Sequence, residues 1–159
     1  MNVLLRKAKS SDIGIIQEFG SKLLNYERDN YDTSLDSNWA FSDEARQKYL
    51  DAIQNKYVII AEMDGRPIGF LIASIIEPKT GDARQIKQAY LQNIYVEENY
   101  REAGVGKELV DSFKDYCRKE GVKRLNVSVL AANKNAAKFY DGIGFKPRSI
   151  NLFQELTPS

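Results

Sequence analysis

Two stretches carry residues whose types and spacing suit chemistry. The first is Arg101-Glu102-Ala103-Gly104-Val105-Gly106-Lys107. Glycines that open a helix leave backbone N–H groups unpaired beside the positive end of the helix dipole, a setting that attracts anions. Gly104 and Gly106 let that backbone come close to a phosphate, and Arg101 and Lys107 add positive charge. Spacing excludes two familiar phosphate loops. A P-loop needs a glycine five residues before its Gly-Lys-Ser/Thr, but Arg101 stands there and Glu108 follows Lys107. A dinucleotide fingerprint needs a third glycine three residues after the second, where Leu109 stands. The second stretch is Asn133-x-x-Ala136-x-x-Phe139-Tyr140, which supplies an amide and a phenol. An amide orients a polar ligand, and a phenol can hand a proton to a leaving group.

The remaining inventory is restrictive. The 159 residues include no histidine and one cysteine. Cys/His zinc sites, Ser-His-Asp and Cys-His catalysis and intrachain disulfides are thereby ruled out. Cys117 shares an apolar helix face with Val105, Leu109, Val110 and Phe113, and so reads as a buried structural thiol rather than a nucleophile. A proton acceptor must then be a carboxylate or a tyrosine. Gln92 and Asn93 cannot serve at neutral pH. Glu62 and Glu97 at strand ends, and Glu27 and Asp29 in a polar segment, all stay open as candidates.

The elements that must position these residues follow from periodicity. Val3 to Ala8 reads as a strand, and Ser10-Ser11-Asp12 offers caps for a helix from Asp12 to Arg28. Ile13, Ile16, Phe19, Leu23 and Leu24 recur on that helix at helical spacing. Asn25 to Asn38 reads as a loop, either a solvated linker or a substrate-facing segment whose acids and aromatics flank a cationic amine. Ser42 caps a helix to Asn55, and Trp39 and Phe41 ahead of it read as packing anchors, with an acceptor-pocket role open for Trp39. Tyr57–Glu62 and Pro67–Ile76 form a hairpin about Asp64-Gly65, and Gly69 marks a bulge or a close approach. After a polar loop from Glu77 to Lys87, a third strand runs through Ile94-Tyr95-Val96, completing an antiparallel meander. A helix from Gly104 to Glu120 ends at Gly121. Lys123–Leu130 alternates as a half-buried strand, Lys134–Ile143 forms a short helix, and Arg148–Leu156 reads as a last strand or hairpin half.

Arg101-x-x-Gly104-x-Gly106 resembles the acyl-CoA pyrophosphate loop of the GNAT superfamily of N-acetyltransferases. Leu91 to Val96 upstream resembles that family's cofactor-pairing strand, and Asn133-x-x-Ala136-x-x-Phe139-Tyr140-x-x-x-Gly144-Phe145 downstream resembles its second signature. The resemblance implies an α/β (α+β) fold in a single domain over residues 1–159, with a mixed twisted sheet and helices on both faces. It implies acetyl-CoA as cosubstrate, with no metal, held by Arg101, Glu102, Ala103, Gly104, Val105, Gly106 and Lys107 at the pyrophosphate. Ile94, Tyr95 and Val96 would pair through their backbone with the pantetheine arm and polarise the thioester carbonyl. Asn133 would hydrogen-bond the arm, Ala136 would let the helix approach it, and Tyr140 would bind near the sulfur and protonate the departing thiolate. Glu102-Ala103 departs from the glycine or basic residues common there, so the Glu102 side chain must point away from phosphate.

Composition is ordinary for a globular protein, with 43% apolar and 28% charged residues. A net charge of +1 provides no general drive toward nucleic acid or membrane. No apolar run approaches the ~20 residues that span a bilayer, and the N-terminal residues lack a signal-peptide layout, so a cytoplasmic setting is expected. The expected activity is acetyl transfer to a primary amine of a small molecule or peptide, by direct attack in a ternary complex. The rivals are a non-catalytic acyl-CoA-binding or sensing domain, and an acyltransferase using a longer acyl chain or another acceptor. The acidic loop tilts the acceptor toward a cation, and a homodimer through the C-terminal strand fits the resemblance.

Overall fold

The structure, a computed structural model, describes residues 2–78 and 85–158. Five strands lie side by side in chain order: β1 (Leu4–Lys7), β2 (Tyr57–Met63), β3 (Arg66–Ile76), β4 (Gln88–Val96) and β5 (Arg124–Val127). Four helices accompany them: α1 (Ile13–Asn30), α2 (Asp43–Asn55), α3 (Val105–Lys119) and α4 (Lys134–Gly142). The first four strands pair antiparallel, and β5 joins β4 in parallel after the α3 crossover. Asp64 and Gly65 turn the β2–β3 hairpin with φ of 51° and 74°, the left-handed pair that matches strand twist.

Each face of the sheet has its own core. Ile59, Leu71, Leu91, Leu109 and Phe113 pack between the sheet and α3, with Tyr140 of α4 joining them. Ile16, Phe19, Tyr49, Phe70 and Tyr95 pack between the sheet and α1–α2. Covering both faces explains why Val58–Ala61 and Ile68–Ala73 are buried without alternation. The expected mixed sheet with helices on both faces is therefore present. Gly69 sits where a Cβ would lie 2.7 Å from the Tyr95 carbonyl oxygen, so the expected close approach is real. Cys117 is buried, and burial pushes its thiol up to about 11.

The feature that opens the sheet is a single extra residue in β4. Ala73 pairs with Leu91 but Ile72 pairs with Asn93, so Gln92 is bulged out of the ladder. A bulge bends its strand and sharpens the local twist. Pairing with β5 ends at the same place, at Leu91 opposite Val127. β4 then continues to Val96 with no paired strand on that side among the described residues, leaving a gap beyond the end of β5.

Four expectations need correction. α1 runs to Asn30, so Asn25–Asn30 is helix rather than loop. Its last turn is held by the Asn30 side-chain amide donating to the Tyr26 carbonyl at 2.7 Å and by Tyr26 and Tyr31 sharing a hydroxyl bond at 3.1 Å. β5 stops at Val127, short of Leu130, because β4 turns away from it. Arg148–Leu156 forms no strand. Ile150, Leu152, Phe153 and Leu156 are 85–87% exposed, so none of the described residues covers that segment. Finally, Trp39 packs edge-on against Tyr49, as an anchor should, but Phe41 is 58% exposed. The expected loop from Glu77 to Lys87 lies largely outside the described residues.

Candidate active site

The gap after Leu91 has a backbone edge on one side. Residues alternate along a strand in which neighbour they address. The Glu97 amide donates to the Ile68 carbonyl on β3 at 2.8 Å, so Tyr95 also addresses β3 while Ile94 and Val96 address the gap. Of the three residues expected there, two thus present peptide groups and one does not. The Tyr95 ring instead packs against Phe19, with centroids 5.4 Å apart. The Val96 carbonyl accepts from Arg101 Nε at 2.9 Å. The Arg101 guanidinium also lies over the rings of Tyr26 (5.2 Å) and Tyr95 (5.5 Å), so this side chain ties α1 to the end of β4.

The glycine loop enters α3 through two left-handed residues, Glu102 at φ 62° and Gly104 at φ 88°. Only glycine adopts that conformation without penalty, which explains Gly104 and marks Glu102 as strained. The first helical amide with an intrahelical partner is that of Glu108, donating to the Gly104 carbonyl at 3.0 Å. The N–H groups of Val105, Gly106 and Lys107 precede it and have no backbone partner among the described residues. An added Cβ at Gly104 would meet nothing within 4 Å, whereas one at Gly106 would lie 3.4 Å from the Phe139 ring. Gly106 therefore also lets α3 sit against α4. The Lys107 ammonium is placed on Asp111 one turn on, which holds it charged, and the Glu102 and Ala103 side chains are exposed. Three free amides at a dipole end and an open approach at Gly104 fit a pyrophosphate.

α4 packs into the core on the α3 side of the sheet, in the cluster that also holds Ile94 and Val96. Asn133 caps it: Oδ1 accepts from the Ala136 amide at 3.0 Å, which leaves Nδ2 as the free donor of a largely buried side chain. Ala136 is partly buried against the core. Tyr140 is 7% exposed, between Phe139 and Phe145 at centroid distances of 5.1 and 5.3 Å. Burial, and secondarily the charge of Glu27, pushes its hydroxyl up to about 12, so it stays protonated at neutral pH.

The four carboxylates left open by the sequence separate by their partners. Glu62 is bound by Arg6, with Nε at 2.7 Å. Glu97 is bound by Lys22 and accepts from the Tyr95 hydroxyl at 3.1 Å. Asp29 is exposed and paired with Arg28 at 2.9 Å. The Glu27 carboxylate, half-buried on α1, has no hydrogen-bond or ion-pair partner among the described residues. Burial, with the nearby charge of Asp32, raises its pKa. Sequence reasoning could name Glu27 but not choose it, because the choice lies in what the other three touch. The bulge at Gln92 has no local sequence signal.

Comparisons with known proteins bear on the family and the fold. The model described as Acetyltransferase (GNAT) family matches residues 21–145. A bovine thialysine N-epsilon-acetyltransferase is 27% identical over 89% of this chain and 83% of its own length. An uncharacterized N-acetyltransferase of Methanocaldococcus jannaschii is 26% identical over 57% of this chain, which spans only 39% of that relative. Among solved structures, an aminoglycoside N-acetyltransferase in complex with CoA superimposes with a TM-score of 0.74 at 18% identity, covering 98% of this chain and 95% of that one. That likeness speaks for the fold.

Proposed function

Because the chain belongs to the acetyltransferase (GNAT) family, we propose that it transfers an acetyl group from acetyl-CoA to a primary amine of a small molecule or peptide. Direct attack within a ternary complex is the route, since the lone thiol, Cys117, is buried in the core with its pKa raised. The observation that carries the reading is the gap beyond Leu91 and Val127, flanked by the free amides of α3 and by Asn133 and Tyr140 of α4. Acetyl-CoA supplies the activated acyl group. Val105, Gly106 and Lys107 hold its pyrophosphate through backbone N–H groups, with charge from Arg101. Ile94 and Val96 align its arm by strand addition, and Asn133 Nδ2 donates to it.

Tyr140 serves as a neutral hydrogen-bond donor at the departing sulfur. A hydroxyl held near 12 is a weaker acid than a thiol of ordinary pKa, about 8.5. It therefore stabilises the leaving group by hydrogen bonding, and the proton lost from the amine completes the exchange. The relatives include enzymes named for a lysine analogue and for an aminoglycoside, which supports an amine acceptor. A cytoplasmic setting fits a CoA-dependent reaction.

A homodimer is supported by the exposed tail. Ile150, Leu152 and Leu156 alternate along the exposed tail, and β5 is the edge strand of the sheet, beside a groove lined by Leu125, Val127 and Ala137 and bordered by this chain's own Arg148, Ser149 and Asn151. The tail of one copy would cover that groove in the other.

The deciding experiment is calorimetric titration of the protein with CoA and acetyl-CoA, beside a Gly104→Glu, Gly106→Glu double variant checked for folding by circular dichroism. Binding by the wild type that the folded variant loses is the expected result. A folded wild type that binds neither ligand sinks the proposal.

A further inference from the structure

We propose that Glu27 receives the acceptor as an alkylammonium ion and takes the proton that must leave before nitrogen attacks. This rests on the acetyltransferase reading and deepens it, because it names both the acceptor class and the base. Glu62 and Glu97 are neutralised by Arg6 and Lys22, and Asp29 is exposed on Arg28. Glu27 is half-buried with no counter-ion among the described residues. A partly desolvated carboxylate without a partner is costly unless something cationic completes it.

Its position suits that task. Glu27 lies in the last turns of α1, and its carbonyl accepts from the amides of Tyr31 and Asp32 at 2.8 and 2.9 Å, which fixes this end of the helix. Its neighbour Tyr26 is clamped under Arg101, and Arg101 is anchored on Val96 at the edge of the gap. The charge of Glu27 contributes, after burial, to raising the pKa of the Tyr140 hydroxyl on α4. Asp32 and Tyr140 are the titratable groups acting between Glu27 and its surroundings among the described residues. Asp32, a second acid, adds to the attraction for a cation, and the raised pKa brings Glu27 nearer to what a general base needs.

The step balances simply. An N–H bond of the ammonium breaks, its electron pair stays on nitrogen, and an O–H bond forms on Glu27. The freed amine forms the C–N bond as the C–S bond breaks with its pair on sulfur. The second amine proton neutralises sulfur, and the first leaves Glu27 for water. One ammonium and one thioester give one amide, one thiol and one proton.

The test uses wild type, Glu27→Gln and Glu27→Asp. CoA affinity is measured by calorimetry. Thiol release is followed with lysine, thialysine and spermidine as alkylammonium probes and 4-methoxyaniline as an amine that is neutral at assay pH. The wild type should acetylate at least one alkylammonium and prefer it to the arylamine. Glu27→Gln should bind CoA within about twofold of wild type yet lose at least about 100-fold in kcat/KM on that cation. The acidic limb of its pH profile should disappear, and Glu27→Asp should restore part of the rate. A wild type that binds CoA but uses no alkylammonium, equal turnover of the arylamine, or a Glu27→Gln enzyme unchanged on cations would each overturn the inference alone. Failure of the wild type to bind CoA overturns the acetyltransferase reading and this inference with it.

Discussion

Tyr140 and Glu102 show how much a single residue's surroundings decide. Tyr140 is held protonated by burial, up to about 12. Its proton is therefore present throughout the working range, and its loss cannot produce an alkaline limb between about pH 8 and 10. Tyr140→Phe should lower kcat by roughly 10²-fold or more while leaving CoA affinity within about twofold. Calorimetry and a thiol-release assay check both, and an unchanged kcat would remove Tyr140 from the chemistry. Glu102 is strained at φ 62° and places a negative charge beside the proposed phosphate site. Glu102→Gln should tighten CoA binding several-fold by removing that charge. Glu102→Gly should do the same and also relieve left-handed strain of about 1–2 kcal/mol, partly offset by glycine's extra chain entropy. If CoA binds Glu102→Gln no tighter than wild type, the carboxylate points away, as the sequence alone suggested.

Elements join at a few polar contacts, and these set how the helices meet the sheet. Asn133→Ala removes the cap of α4 and should cost about 1 kcal/mol of stability, read from thermal melting. It should weaken CoA binding as well, because the same side chain carries the free Nδ2 donor. At the other end of the chain, Arg6 binds Asp12 at 2.8 Å and Glu62 at 2.6 Å, tying β1 to β2 and to the start of α1. The Arg6 guanidinium holds the Asp12 carboxyl below its ordinary value of 3.8. A carboxyl whose folded pKa is depressed stabilises the fold above its unfolded pKa and loses that contribution as pH falls through the folded value. Asp12→Asn should therefore flatten the acid limb of the stability curve below about pH 4, and an acid limb identical to wild type would show that the pair does not contribute. Most element positions could be read from the sequence, because the apolar periodicity of α1, α2 and α3 and the Asp64-Gly65 turn act locally. The sequence reading carries α1 only to Arg28, two residues short of Asn30, because the last turn is polar and is held by Tyr26–Tyr31 and Arg101 contacts that only the fold creates.

At the scale of the whole molecule, the sheet divides the work. The face bearing α3 and α4 carries the proposed cofactor contacts, and the face bearing α1 and α2 carries Glu27. The glycine loop, Asn133 and Tyr140 stand out in the sequence because the proposed cofactor face is built from contiguous motifs. The proposed acceptor side does not, because it depends on which acids are already paired across 75 residues, as Lys22 and Glu97 are. The tail shows a further limit. Arg148–Leu156 has a strand's composition, but a strand needs an edge to join, and none among the described residues takes it. An Ile150→Asp, Leu152→Asp variant should shift the protein from dimer to monomer in sedimentation velocity. A wild type that sediments as a monomer would leave the tail without the proposed role.

The bulge at Gln92 means that part of this protein's information lies in a residue count and not in any residue's identity. Gln92 is exposed, so replacing it with serine or lysine should change stability by no more than about 0.5 kcal/mol. Deleting it is a different kind of lesion. The ladder would lose its extra step, Asn93 to Val96 would exchange faces, and β4 would be free to zip onto β5 past Leu91. A protein one residue shorter should keep a folded sheet by circular dichroism yet lose CoA binding. Like a frameshift confined to a single strand, it would leave almost every letter intact and spoil the reading.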